Sequence, residues 1–235
     1  GRYYELKGRK DTLLANVSRA SRKDFRNAVV AARKAWSGWA ATTACLRGQI
    51  LYRVAEMLEG RAGQFEEELR AQGATPVAAR KEVTASVDLF VHYAGWSDKY
   101  QSLFSSVNPV ATPHFNFSMP ESTGVVAAVA PEGSGLLGLS SVVAPILVGG
   151  NTSVILASHA RPLCAITLAE VLNSSDVPGG TVNILTGLRD ELLPQFAEHM
   201  DVNALLVCSD EAGETRLAQE RAAENVKRGI PHADA

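Results

Sequence analysis

The sequence has no excess of either charge. Among its 235 residues, 23 lysines and arginines nearly balance 25 aspartates and glutamates, which gives a formal net charge of −2. A chain that binds nucleic acid or an anionic membrane through its overall charge is usually strongly basic. We therefore expect neither nucleic acid nor a membrane as a partner.

Cysteine is also scarce. The three cysteines, Cys45, Cys164 and Cys208, are odd in number, lie far apart and form no C-x-x-C pair. This spacing argues against a disulfide framework and a zinc site, and the histidine spacing suggests no other metal site. We expect a reducing, cytoplasmic location and no bound metal.

No signal-peptide pattern is visible at the N-terminus. The chain begins with Gly1 rather than methionine, so we expect a fragment or a processed piece.

The sequence contains no long apolar run without interruption. Residues 124–150 are almost uncharged, but Glu132, Pro131, Pro145 and six glycines interrupt them. This pattern predicts a buried strand followed by a buried helix rather than a membrane-spanning helix.

The first hundred residues are rich in helix signals. Ser21 begins a capping box that ends at Asp24, and apolar residues recur after it at helical spacing. Further amphipathic stretches predict a second helix from about Thr43 to Gln72 and a third that starts at Thr75-Pro76. We assign residues 1–106 to an N-terminal helical part.

The pattern changes to alternating strands and helices after a separate strand within residues 107–123. Strands are predicted at 124–130, 151–157, 181–185 and 204–207, and helices follow them at 136–147, 162–173, 190–199 and 211–224. Such alternation is typical of βαβ units. The sequence predicts one α/β domain over 1–235, with a Rossmann-like parallel sheet and helices on both faces over 124–224. A polar tail follows over 225–235.

A G-x-G-x-x-G motif at residues 133–138 lies between the first predicted strand and its helix. In a dinucleotide site these glycines admit the pyrophosphate, and an acid at the end of the second strand holds the ribose. Here that strand ends in Leu156-Ala157-Ser158-His159 without an acid, and Glu132 places a negative charge at the turn. We interpret the motif as a tight strand-to-helix connection. A 2′-phosphate held by His159 and Arg161 is the remaining nucleotide hypothesis.

Several longer segments resemble the aldehyde dehydrogenase superfamily. In family order they are FRNAVVAARKAWSGWAATTACLRGQILYRVAEMLEGRAGQFEEEL, VDLFVHYAGWSDKY, STGVVAAVAP, APILVGGNTSVIL, AITLAEVLNSSDVPGGTVNILTG and HMDVNALLV. They correspond to the N-terminal half of a family member. The resemblance implies the family's NAD-binding-domain fold, and the family's activity is the NAD(P)-dependent oxidation of aldehydes.

The resemblance also indicates that the family's cofactor site has degenerated. The family's P-W-N-F-P turn, whose Asn helps to stabilise an oxyanion, has Gly133 at the Asn position. The Lys and Glu of V-L-K-P-A-E, which hold the ribose, correspond to Leu156 and His159. The family's F-T-G-S-T-x-x-G matches loosely through Ser209, with Asp210 adding negative charge. We expect no cofactor; NAD or NADP is the ligand if this degenerate site still works.

The family's catalytic segments do not occur in these residues. The general-base segment E-L-G-G-K would begin about where the chain ends, and the nucleophilic Cys of G-Q-x-C would lie further on. A reactive thiol needs a base or a positive field, and no such partner is evident for Cys45, Cys164 or Cys208. We expect all three to be buried and structural, and we expect no catalytic residue. His92, His114 and His199 are expected to be surface or capping residues.

The chain most resembles the shortened, degenerate second module of the long two-module aldehyde dehydrogenases. The resemblance implies a structural role, in which the chain packs with a catalytic module or with its own copies. The family's oligomerisation flap would begin at His114–Met119, with Phe115, Phe117 and Met119 on one face. Two alternatives remain: a fragment of an active NAD(P)-dependent enzyme, and a nucleotide-binding regulatory module that uses residues 133–138.

Overall fold

A hairpin leads into a run of helices, and a parallel sheet with its own helices follows. The computed structural model describes residues 1–8 and 11–232. Its strands are β1 (Tyr3–Lys7), β2 (Leu13–Ser18), β3 (Ser106–Val107), β4 (Phe117–Ser118), β5 (Val125–Val129), β6 (Thr152–Leu156), β7 (Val182–Leu185), β8 (Ala204–Cys208) and β9 (Arg228–His232). Its helices are α1 (Arg22–Ala41), α2 (Ala44–Gly60), α3 (Ala62–Ala71), α4 (Pro76–Trp96), α5 (Tyr100–Phe104), α6 (Leu137–Val148), α7 (Leu163–Asn173), α8 (Arg189–Glu198) and α9 (Ala212–Ala223).

The central sheet has the strand order β7-β6-β5-β8-β9, and all of its pairings are parallel. Its register places Val129 of β5 between Leu156 of β6 and Val207 of β8. The chain winds outward from β5 in one direction through β6 and β7 and in the other through β8 and β9. This reversal leaves a crevice at the carboxyl ends of β5 and β8, where ligands of such sheets usually bind.

Helices cover both faces of the sheet. Alternate residues of β5 contribute to two apolar cores: Val126 and Ala128 pack with residues of α2, α4, α6 and α7, whereas Val125 and Ala127 pack with residues of α1, α8 and α9. A strand buried on both faces is apolar throughout rather than alternating, as the run at 125–130 is. The predicted Rossmann-like fold is therefore confirmed.

The predicted helix starts are confirmed at α1 and α4. The Asp24 carboxylate accepts a hydrogen bond from the Ser21 amide at 2.7 Å, and the Asp24 amide donates to the Ser21 hydroxyl at 3.4 Å. At α4, the Thr75 hydroxyl accepts from the Ala78 amide at 3.2 Å, with Pro76 in the first turn. These caps satisfy amides that have no partner within the helix.

Strands β1, β2 and β9 lie where the sequence predicts none. β1 and β2 pair antiparallel inside the part predicted to be helical, and β9 pairs with β8 inside the predicted tail. Gly229 and Pro231 weaken the strand pattern of β9, which forms because β8 offers it a free edge. Residues 233–235 of that tail lie outside the described residues.

Two further predicted elements differ in extent. The helix predicted from Thr43 to Gln72 is divided into α2 and α3 at Arg61, directly after Gly60, a residue type that weakens helices. The strand predicted over His114–Met119 is paired only at Phe117–Ser118, with Ser106–Val107 as its partner. Among the described residues, no helix is both long and apolar enough to cross a membrane.

Two adjacent glycines just before β7 allow a test of how closely this segment packs against α1. Gly180 has a φ of +85°, and a Cβ there would lie 2.8 Å from the main-chain oxygen of Ala31. Gly180→Ala is therefore expected to lower the free energy of unfolding by about 1–3 kcal/mol in urea titrations. Gly179→Ala is the matched control, since a Cβ at Gly179 meets no atom within 4 Å. Equal stability of the two variants would contradict this packing.

Candidate functional site

A side chain from the helical part occupies the hydrogen-bond donors of the glycine turn at the carboxyl end of β5. One carboxylate oxygen of Glu82, on α4, accepts hydrogen bonds from the Ser134 hydroxyl at 2.7 Å and from the amides of Leu136 at 2.8 Å and Leu137 at 3.2 Å. The Ser134 hydroxyl in turn accepts from the Gly138 amide at 2.7 Å. These amides are the donors that a helix N-terminus offers to a phosphate. An internal carboxylate already binds them.

The Glu132 carboxylate occupies a second group of hydrogen-bond donors, which lies in the loop after β6. Its carboxylate accepts from the Ser158 hydroxyl at 2.8 Å, from the His159 amide at 3.0 Å and from the Ala160 amide at 3.3 Å. Burial raises the pKa of Glu132, but these hydrogen bonds and the charge of Arg189 outweigh it, so its pKa lies below the ordinary value. Glu132 is therefore held as a carboxylate inside the site.

Arg189, the first residue of α8, fills the crevice between β5 and β8. Its guanidinium lies 2.9 Å from Glu132 and 3.1 Å from Glu214 of α9, and it donates to the main-chain oxygen of Ala130 at 2.6 Å. The three charged side chains are only 12%, 29% and 21% exposed. This group, which we call the crevice triad (Glu132, Arg189, Glu214), ties the ends of β5 and β6 to α8 and α9.

The N-terminal hairpin covers the outer side of the triad. The Tyr4 ring lies 4.3 Å from the His159 ring, and the Tyr4 hydroxyl donates to the His159 main-chain oxygen at 3.3 Å. Burial and the charge of Glu132 raise the pKa of Tyr4 to about 12. Tyr4 is therefore a neutral lid over the Glu132 loop.

The positions at which the sequence predicts a degenerate cofactor site all lie at this end of the sheet. Their side chains, however, do not point to one common place. Leu156 is fully buried in the apolar core, and Gly133 is exposed. Ser209 is buried, and its hydroxyl accepts from the Glu211 amide at 3.1 Å before α9 begins. His159 reaches the site through its amide, since its ring packs on Tyr4.

Sequence reasoning placed Glu132 at the turn as a charge that repels phosphate. The structure gives this residue a different environment, because Arg189 partly neutralises the carboxylate and three donors bind it. Glu82, Arg189 and Glu214 were not predicted as site residues. Each lies on a different helix, and no local spacing connects them.

The cysteines differ from the prediction at one position. Cys164 and Cys208 are buried, but Cys45 is exposed, because its position in the first turn of α2 faces away from the core. Burial and the nearby charges of Glu68 and Glu82 raise the pKa of Cys164. This thiol is therefore not the activated kind that a nucleophile requires.

The predicted histidine roles agree with their positions. His92 and His114 are exposed, and His199 is the C-cap residue of α8, where its Nδ1 accepts from the Asp201 amide at 3.2 Å. Over residues 1–8 and 11–232, no group of three or more His, Cys, Asp or Glu side chains is arranged to hold a metal ion.

The predicted oligomerisation residues lie on an exposed flap, which we define as residues 103–119. Phe115, Phe117 and Met119 are 75%, 57% and 51% exposed, and the two phenyl rings lie 5.4 Å apart. No charged residue occurs between Lys99 and Glu121. The flap is therefore an apolar surface without the charges that usually protect an exposed strand edge.

The parallel sheet, its reversal at β5 and the helices on both faces define a Rossmann-like dinucleotide-binding fold. The family model described as "Aldehyde dehydrogenase family" matches residues 5–230. The chain belongs to the aldehyde dehydrogenase family.

Individual relatives support this assignment and are all longer than this chain. Mouse cytosolic 10-formyltetrahydrofolate dehydrogenase is 32% identical over 92% of this chain and 25% of its own length. Alternaria alternata aldehyde dehydrogenase is 27% identical over 93% of this chain and 44% of its own length. PnpE from Pseudomonas sp. WBC-3, crystallised with nicotinamide adenine dinucleotide, superposes with a TM-score of 0.94 at 26% identity, over 98% of this chain and 47% of PnpE. The chain thus spans about a quarter to a half of these proteins.

Proposed function

We propose that this chain is an assembly module of the aldehyde dehydrogenase family that binds no nicotinamide dinucleotide and does not oxidise aldehydes by itself. The observation that carries the proposal is the Glu132 carboxylate, held by the donors of the β6 loop and by Arg189. A dinucleotide would have to displace an internal anion that is already bonded and charge-paired.

The rest of the site supports the same conclusion. Glu82 binds the helix-terminal amides of the glycine turn, and Leu156 offers the ribose a buried apolar side chain in place of a donor. A phosphate would also meet the negative charges of Glu82 and Glu132. The residues present fit the chain's own carboxylates rather than a nucleotide, so no reaction step is assigned to a cofactor.

A fragment of an active enzyme is the second candidate, and the share of the relatives that this chain spans favours it. In that case the general base and nucleophile of the family would lie in the remaining length. The two candidates differ in what residues 1–235 do alone and in what the gene encodes around them.

Turnover by residues 1–235 is expected to be undetectable. With aliphatic and aromatic aldehydes and either NAD or NADP, absorbance at the wavelength of reduced cofactor is expected to stay at the level of the enzyme-free control. The physical reason is that the family's nucleophilic G-Q-x-C segment does not occur in these residues, and that burial raises the pKa of the Cys164 thiol. Activity that appears in the wild type and disappears in Cys208→Ala would instead identify a replacement nucleophile.

Assembly through the flap is expected to be lost when its aromatic face becomes charged. The wild-type chain is expected to be a dimer or larger in light scattering, and Phe115→Asp/Phe117→Asp is expected to be monomeric, because carboxylates cannot be buried in an apolar interface without a partner. Val77→Asp/Met200→Asp is the matched control, since Val77 and Met200 are 80% and 83% exposed away from the flap. Circular dichroism checks that each variant is folded. A monomeric wild type at high concentration would refute the assembly proposal.

A further inference from the structure

Helix α1 carries a concentration of positive charge on its outer side. Arg22, Lys23, Arg26 and Lys34 are exposed, and Arg33 is half-buried beside them. We call these five residues the basic face. The acid on α1, Asp24, is used in the capping box with Ser21. The basic face thus stands out in a chain whose formal net charge is −2.

No cation of the basic face forms an ion pair in the part of the chain that the structure describes, although the charge of Lys23 adds to the hydrogen bonds from Ser21 that lower the pKa of Asp24. Ten ion pairs occur there, involving cations such as Arg2, Arg53 and Arg61, and none includes a residue of the basic face. Arg33 donates to the main-chain oxygen of Asp201 and lies 5.8 Å from the centre of the Trp36 ring, and its Nε is buried without a hydrogen-bond partner.

A lysine from the other end of the chain extends the same positive region. Lys227 donates to the main-chain oxygen of His199 at 2.8 Å, and burial lowers the pKa of Lys227 to about 8. The pKa of His199 is lowered by burial and by the charges of Lys227, Arg26 and Arg33, which together outweigh the opposite influence of Asp201. Arg33 and Lys227 donate to main-chain oxygens only two residues apart, those of Asp201 and His199, so Lys227 lies next to the basic face.

The arrangement is unfavourable for the free chain. Arg22 and Arg26 lie four residues apart on α1, a spacing at which like charges destabilise a helix. Desolvation adds to this cost at Lys227. A row of uncompensated charges on a folded helix is stabilised when an anionic surface covers it.

We propose that the basic face of α1 is a docking surface for a carboxylate-rich helix of a partner protein, which rests on the assembly function proposed above. Arg22, Arg26, Val30 and Lys34 form one row at i, i+4 spacing, about 18 Å long at 1.5 Å per residue. A partner helix with glutamates four residues apart presents charges at the same repeat. Val30, 60% exposed at the centre of the row, supplies an apolar contact. One valine is too little apolar surface to insert into a membrane.

Binding of a defined probe tests this surface. The probe is a tryptophan-free helical peptide of about 20 residues, with glutamate at every i, i+4 position. The signal is the fluorescence of the tryptophans, which include Trp36 beside Arg33. Arg22→Glu/Arg26→Glu/Lys34→Glu is expected to weaken binding by about tenfold or more, and binding is expected to weaken as salt rises from about 0.05 to about 0.5 M. Arg70→Glu/Lys81→Glu/Arg216→Glu, with the same change of charge at exposed positions elsewhere, is expected to bind like the wild type.

Any of three other outcomes overturns the proposal. These outcomes are absent binding at low salt, equal losses in the two charge-reversed variants, and tighter binding to phosphatidylserine vesicles or to a DNA duplex than to the glutamate peptide. Phe115→Asp/Phe117→Asp is expected to retain peptide binding. Failure of the flap as an assembly surface is thereby distinguished from failure of the basic face.

Discussion

Replacing Arg189 with methionine is expected to lower the free energy of unfolding by about 3–5 kcal/mol, because two enclosed carboxylates then lose their shared cation. Glu132 and Glu214 are 29% and 21% exposed, so water can compensate only part of that loss. The carbonyl of Ala130 also loses its hydrogen bond at 2.6 Å. Urea titrations followed by circular dichroism measure the change.

Two control variants separate the triad from a general effect of losing an arginine. Arg216→Met removes an exposed ion pair with Glu220 and is expected to leave the urea midpoint unchanged. Arg189→Met combined with Glu132→Gln and Glu214→Gln is expected to be more stable than Arg189→Met alone, since no charge is left unpaired. If Arg189→Met is as stable as Arg216→Met, the crevice triad does not hold the site together.

The same triad predicts a direction for pH dependence. The pKa of Glu132 is lowered in the folded chain, so its contribution to stability is complete above its ordinary value of 4.5 and is lost as pH falls through the folded-state pKa. In Glu132→Gln this acid-side loss is expected to be smaller than in the wild type.

The sequence was sufficient for the elements whose signal is local. An apolar, β-branched run predicted β5 and the Ser21–Asp24 box predicted the start of α1, and both lie where expected. β9 escaped prediction because Gly229 and Pro231 mask it and its formation depends on an edge of β8, which is close only after folding. Local pattern therefore indicates the fold but not every strand of the sheet.

The site was less predictable because its key contacts join distant segments. Glu132 drew attention from sequence because it interrupts an apolar run, but its partner Arg189 lies on α8 and its other partners lie after β6. Glu82 reaches the glycine turn from α4, 54 residues away from Leu136. Charge compensation of this kind depends on tertiary position, so spacing alone predicted repulsion where the structure has a paired, bonded carboxylate.

Calorimetric titration with NAD and with NADP tests most directly whether internal carboxylates take the place of the cofactor. PnpE, whose crystal structure contains nicotinamide adenine dinucleotide, serves as the positive control. Each of two features, a competing carboxylate and the missing ribose donor, is expected to weaken binding by about 1–3 kcal/mol. We expect no saturable heat up to about 1 mM nucleotide. A dissociation constant below about 100 µM for either nucleotide would contradict it.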